Sequence, residues 1–249
     1  MMNEEHESQP FISHLIELRN RLLWAVGSVL VIFICLTPIA NDLYEWFAKP
    51  VMSNLPQGST MISTEPHGPF FIPFKFAFAV AFAIGIPVVL YQVWAFIAPG
   101  LYQNEKSIAL PLIVSSTLLF YAGILFAYYV VFPIIFKFFA SQAPEGVAVM
   151  PDISSYMSFA LKLFFAFGVA FEVPVATVLL SKMGVVSADS MAEKRPYIIV
   201  GAFVVGMLMT PPDIFSQIML AVPVWLLFEV GLFFARKLEN NRAAEQEPL

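Results

Sequence analysis

Phe96-Ile97-Ala98-Pro99-Gly100-Leu101-Tyr102-Gln103-Asn104-Glu105-Lys106 lies between two long apolar runs. Pro99-Gly100 breaks the first run, because proline has no amide donor and glycine readily takes positive φ. A short polar patch from Gln103 to Lys106 follows, and the chain then returns to apolar sequence. This tight connector holds one carboxylate, Glu105, where apolar sequence meets polar. If the flanking runs cross a bilayer, Glu105 stands at its surface, in a position to receive a positively charged peptide.

Composition supports the bilayer. Of 249 residues, 59% are apolar and only 12% are charged, and the mean hydropathy is +0.78. Soluble domains carry about a quarter charged residues, so one water-soluble core cannot hide this much apolar surface. The net charge of −5 and the lack of a Lys/Arg block exclude a nucleic-acid partner. The single cysteine, Cys35, sits in an apolar run and has no internal disulfide or metal partner to find.

Outward from the connector, the apolar runs predict six membrane-spanning helices, at roughly 22–40, 74–97, 112–136, 156–180, 197–209 and 214–234, in a single membrane domain covering 1–237. Residues 238–249 read as a polar cytoplasmic tail. Ahead of the first span, Phe11, Leu15, Leu18 and Leu22 recur at spacings of four, three and four, which is one face of an interfacial helix. Glu17 falls off that face, available either as a ligand or as an i,i+4 partner of Arg21. After the first span, Asn41 reads as a helix N-cap, Asp42 and Lys49 complement the helix dipole, and Pro50 reads as its stop. Five prolines from Pro50 to Pro73 predict a stiff, irregular cap. Ser187-Ala188-Asp189 reads as a helix start.

Six spans place both termini on one side. Arg19, Arg21, Lys106, Lys182, Lys194, Arg195, Arg236, Lys237 and Arg242 fall on that side. Only Lys49 and Lys137 lie in the opposite loops, with Lys75 and Lys162 near the span ends that face them. Nine against four predicts an N-in/C-in topology. The fifth span, Tyr197 to Met209, is short: about 20 Å of helix against about 30 Å of hydrocarbon. A partner or local thinning of the bilayer must make up the difference.

Glu172 lies inside the fourth span, just before Pro174, about 13 Å from the cytoplasmic end. Intramembrane carboxylates are costly and rare, so it reads as a functional group facing protein or water, or else as a neutral acid bonded to a neighbouring helix. Glu229 lies nearer the surface and reads as solvated. Gln92 and Gln217 are polar groups within spans that need partners. Enzymatic patterns are missing: no H-E-x-x-H, no G-x-S-x-G and no P-loop. The chain therefore reads as a non-enzyme with no cofactor and no metal site. The alternative function is a proton-coupled secondary transporter of a small solute using Glu172, which predicts an inverted repeat that the sequence does not display.

Four separated stretches resemble one family. Ser13-His14-Leu15-Ile16-Glu17-Leu18-Arg19-Asn20-Arg21-Leu22, Phe96 to Tyr102 with Glu105, Phe167-Gly168 with Phe171-Glu172-Val173-Pro174, and Met209-Thr210-Pro211-Pro212-Asp213 are similar to TatC, the multispanning receptor subunit of the twin-arginine protein translocase. The resemblance implies an all-α integral membrane protein of six spans with a concave shape and short fifth and sixth spans, in the bacterial cytoplasmic membrane. It implies binding of twin-arginine signal peptides on folded cargo, and export driven by the proton-motive force. It assigns the signal-peptide contacts to Glu105, Glu17, Arg19, Leu22, Phe96, Tyr102 and Pro50, and an intramembrane polar site to Glu172 with Gln92. It further implies TatA-like and TatB-like single-span partners docking at Met207, Thr210, Gln217 and Asp213, in a complex of several copies.

Overall fold

The computed structural model describes residues 4–53, 62–97, 106–142, 150, 152–210 and 213–246, with side chains described at all of these except 4–11, 49–53, 106–109, 140 and 242–246. The described residues are helical, apart from turns and one isolated parallel bridge between Ile62 and Asp152. The helices are α1 (Glu4–Leu36), α2 (Ala40–Ser53), α3 (Gly68–Ile97), α4 (Lys106–Phe126), α5 (Phe132–Ser141), α6 (Ile153–Ala170), α7 (Val173–Lys182), α8 (Ala188–Glu193), α9 (Arg195–Met209) and α10 (Ile214–Gln246).

Among the described residues, five stretches are long and apolar enough to cross a membrane: Ile12–Ala48, Gly68–Ile97, Leu110–Phe139, Ile153–Lys182 and Ile214–Asn241. The apolar helix Arg195–Met209 is shorter, and corresponds to the predicted fifth span. Large apolar side chains stand on the outside of these helices, Trp24 at 72% exposure and Leu208 at 66% among them. Lipid can cover such side chains where water cannot.

Several boundaries differ from the sequence reading. Asn41 does not cap α2, because the chain enters that helix from a tight 3-10 turn, Thr37–Ile39, and the Ala40 amide donates to the Thr37 carbonyl. Pro50 does not stop α2, which runs on to Ser53. A proline inside a helix removes only its own donor, so later residues still find acceptors. The proline-rich cap is helical from Gly68 onward, with Pro69 in the first turn, where its missing donor costs nothing. The polar tail continues α10 as helix to Gln246. The predicted helix start at Ser187 is observed: its hydroxyl accepts from the Ser190 amide at 3.2 Å.

Two prolines reshape their spans. Ahead of Pro133, residues Ala127–Val131 form a π turn between α4 and α5, which absorbs the lost hydrogen bond and the ring's bulk. Ahead of Pro174, the helix breaks at Phe171 and Glu172, so the predicted fourth span is two helices, α6 and α7, in line.

The chain divides into two units, 1–48 with 70–117, and 49–69 with 118–249. In the first, α1 and α3 run antiparallel. Val29 sits against Gly85, where an added Cβ would lie 3.0 Å from a Val29 methyl, and Phe33 meets Phe78 edge-on at 5.6 Å. The buried indole of Trp94 donates to the Ser116 hydroxyl at 2.9 Å, tying α3 to α4. In the second unit, Phe167, Leu163, Ile135 and Leu220 are almost fully buried in one core. Glycines set close approaches there: Gly123 faces the Phe167 carbonyl, and Gly231 faces Pro174 and Thr177. These are the small-residue contacts that helix pairs in lipid require.

Candidate functional site

The α1–α3 seam gathers several of the predicted site residues. Phe96 stacks on His14, ring centroids 4.4 Å apart and 16° from parallel. One helical turn along α1, Glu17 Oε1 accepts from Arg21 Nε at 2.8 Å and pairs with Nη2 at 2.7 Å. The third nitrogen of that guanidinium, Nη1, donates to Gln92 Oε1 at 3.4 Å. Phe96 and Gln92 are one turn apart on α3, so the seam is aromatic at one end and polar at the other. The sequence reading anticipated the Glu17–Arg21 pair as one of two possibilities, and Gln92 finds in Arg21 the partner that its position in a span demanded. It missed His14. The signal was available: His14, Glu17 and Arg21 recur at spacings of three and four beside the apolar face.

Arg19 and Leu22 lie on α1, both exposed; Arg19 turns to Asn20, donating to its Oδ1 at 3.1 and 3.3 Å. Pro50 lies within α2, its side chain outside the described residues, and Tyr102 and Glu105 fall outside them altogether.

Glu172 occupies the break between α6 and α7. Its backbone amide donates to the Val169 carbonyl at 3.0 Å and its carbonyl accepts from the Ala176 amide at 2.9 Å. Both carboxylate oxygens are shielded from solvent. The proline that breaks the span thus fixes where the acid sits.

The four residues expected to dock partners lie around the α9–α10 turn. Met207 is 56% exposed. Thr210 is buried, and its hydroxyl donates to the Gly206 carbonyl at 2.8 Å. Gly206 in turn faces the Gln217 backbone, where a Cβ would make ordinary contact at 3.5 Å. Asp213 caps α10, its Oδ1 accepting from the Ser216 amide at 2.7 Å. Met207 alone of the four thus offers a large exposed surface; Thr210 and Asp213 also hold the turn itself.

Three polar links tie the segment before and at the start of α9 to α10, and the sequence reading named none of them. Glu229, expected to be solvated, instead takes the Arg195 guanidinium in a fork, Oε1 from Nε at 2.5 Å and Oε2 from Nη2 at 2.8 Å. Glu239 Oε1 accepts from the Ser181 hydroxyl at 2.7 Å and the Ala188 amide at 2.9 Å. Arg236 pairs with Asp189 at 3.1 Å. At the other end of the second unit, Asp152 closes the proline-rich loop. Its Oδ2 accepts from the Thr64 amide and hydroxyl at 2.9 and 2.8 Å, and its Oδ1 from the Ser155 amide at 2.8 Å. These donors, the Thr64 amide foremost, hold the Asp152 carboxyl well below the usual carboxylate range. No group of three or more metal-ligating side chains occurs among the described residues.

Five apolar stretches of bilayer length among the described residues, with large apolar side chains exposed along them, mark a multi-pass membrane protein. Residues 13–223 match the family described as Sec-independent protein translocase protein (TatC). The Sec-independent protein translocase protein TatC of Escherichia coli (strain K12) is 58% identical over 230 residues, covering 92% of this chain and 89% of that protein. The protein of the same name from Haemophilus influenzae is 55% identical over 235 residues, covering 94% and 92%. A crystal structure described as the twin arginine translocase receptor TatC superposes with a TM-score of 0.81 at 38% identity, covering 90% of this chain and 98% of that one. The chain belongs to the TatC family: it is a component of a protein translocase and not an enzyme.

Proposed function

We propose that this protein is the signal-peptide receptor of a twin-arginine translocase in a bacterial cytoplasmic membrane, with six spans and both termini in the cytoplasm. The observation that carries the reading is the likeness, over 90% of the chain, to a solved twin arginine translocase receptor. The excess of Lys and Arg on the terminal side supports the orientation, and α9 with α10 supplies the fifth and sixth spans.

The physical basis is the match between guanidinium and carboxylate. A twin-arginine signal carries two permanently charged forks, and a carboxylate accepts each one bidentately. Glu105 and Glu17 are the two acids that answer them. Phe96, Tyr102, Leu22, Arg19 and Pro50 shape the surface around them. The seam between α1 and α3 supports this reading by grouping Glu17 with Phe96 and Gln92. The apolar part of the signal lies along the spans, with Glu172 and Gln92 keeping a polar path within them. TatA-like and TatB-like single-span subunits dock beside the short α9 through Met207, Thr210, Gln217 and Asp213, and several copies assemble. The proton-motive force drives export.

The test is export of a folded cargo bearing a twin-arginine signal in cells carrying Glu105→Gln or Glu105→Arg. Export and signal crosslinking are expected to collapse, most completely in the charge reversal. Wild-type levels of both would remove Glu105 from the receptor site.

A further inference from the structure

Glu17 is not an empty acceptor. Arg21 already presents to it the chemistry that a signal arginine would bring. Nε and Nη2 of Arg21 converge on Oε1 of Glu17, while Nη1 reaches across to Oε1 of Gln92 on α3. One guanidinium therefore bridges two acceptors on two helices. The other carboxylate oxygen of Glu17 makes no hydrogen bond among the described residues, and the side chain is 37% exposed, so a second donor can reach it while Arg21 still holds the first.

We propose that Arg21 is a resident guanidinium that occupies Glu17 between binding events, yields it to an arginine of the incoming peptide, and is retained by Gln92 during the exchange. Arg21 is thereby a specificity-determining residue. The inference rests on the reading of Glu17 as a signal-binding acid, and adds how that acid discriminates.

A bare carboxylate attracts any cation. A carboxylate already forked by arginine is neutral as a pair, and releases its partner readily only to a group that replaces the same hydrogen bonds. A peptide arginine does so, starting at the second Glu17 oxygen; a lysine ammonium is a point charge and cannot. The contact to Arg21 is thus a repulsive element against the wrong ligand. It is also exchangeable, because an i,i+4 pair on a half-exposed helix face contributes little to stability. Gln92 completes the device by offering the displaced guanidinium an acceptor on α3.

The experiment measures binding of fluorescent synthetic signal peptides to the full-length chain in lipid nanodiscs. One peptide carries the arginine pair, and the other is identical except for a lysine pair. Receptor variants are Glu17→Gln, Arg21→Gln, Arg21→Lys, Gln92→Leu and the double variants, each admitted after its melting temperature and monodispersity match wild type. Arg21→Gln is expected to tighten the twin-arginine peptide about threefold to tenfold and the twin-lysine peptide by more, so that selectivity falls. Arg21→Lys should shift both in the same direction by less. Gln92→Leu should weaken twin-arginine binding, and that effect should vanish in the Arg21→Gln background. Arg21→Gln should have no effect in the Glu17→Gln background, as required of residues that act through one contact. If Glu17→Gln weakens binding while Arg21→Gln leaves it unchanged or weakens it, Arg21 is only a structural partner and the inference is overturned, with the Glu17 reading intact. If Glu17→Gln has no effect, the reading of Glu17 itself fails.

Discussion

Gly123 is the position where the smallest change should do most damage to the second unit. It lies on α4 against the last turn of α6. A methyl group there would meet the carbonyl carbon of Phe167 at 2.9 Å and the Phe171 ring at 3.0 Å, with the Phe167 carbonyl oxygen nearer still. Ordinary contact begins at 3.4 Å, so the carbonyl carbon alone requires the two helices to part by about half an ångström, and the nearer carbonyl oxygen requires more, along a backbone that cannot rotate away. The Phe167 carbonyl also accepts the Phe171 amide at 3.0 Å, and the two rings pack on Phe126 at 5.6 and 5.7 Å. Parting the helices loosens all of these at once. Overpacking of this kind costs about 2–3 kcal/mol. Gly123→Ala should therefore unfold at lower denaturant in detergent-titrated unfolding, and export should fall because Phe171 leads directly into Glu172. Gly27→Ala and Gly201→Ala are the controls: nothing lies within 4 Å of either added Cβ, and alanine favours the helix by up to about 1 kcal/mol. A Gly123→Ala protein as stable as these controls would refute the close-contact reasoning.

Other outcomes follow from the same geometry. Ser116→Ala strands the buried Trp94 indole N–H, and should cost about 1–2 kcal/mol with a shift in tryptophan fluorescence; an unchanged spectrum and stability would show that the bond is dispensable. Hydrogen bonds from Thr64 and Ser155 hold the folded-state pKa of Asp152 below its ordinary value, so its clasp on Thr64 contributes stability that is fully present above the ordinary carboxylate range and is lost as pH falls below it. The stability gap between wild type and Asp152→Asn should thus be constant near neutrality and shrink below about pH 4; a gap independent of pH would contradict this. Glu172→Ala should reduce export partially and leave signal binding in place, because a single shielded acid tunes the path and does not anchor the signal; full export would make it a purely structural group.

What the sequence made legible was periodicity and cost. Apolar runs of bilayer length located the long helices, and the rarity of an acid within a span singled out Glu172. Boundaries were less legible because proline's effect depends on where it falls. Pro50 reads as a helix stop and Pro69 as part of a stiff, irregular cap, yet one removes a single bond near the end of α2 and the other sits in the first turn of α3, where no bond is lost. Pro133 and Pro174 carry the same sequence signal, but one is absorbed by a π turn and the other splits its span. Long-range polar pairs were the least legible. Arg195 and Glu229 are separated by 34 positions, and Asp152 and Thr64 by 88; only the packing of the helices brings them together. The α1–α3 seam was partly readable, because Glu17 and Arg21 are local, whereas Phe96 over His14 depends on the register of two antiparallel helices.

The most direct measurement places a photo-crosslinker beside the arginine pair of a signal peptide and maps where it attaches on the full chain in membranes. Attachment is expected at the 98–105 connector and on α1 around residues 14–21, and is abolished when the pair is replaced by glutamines. Attachment confined to α9 and α10, or indifference to the arginines, would contradict it.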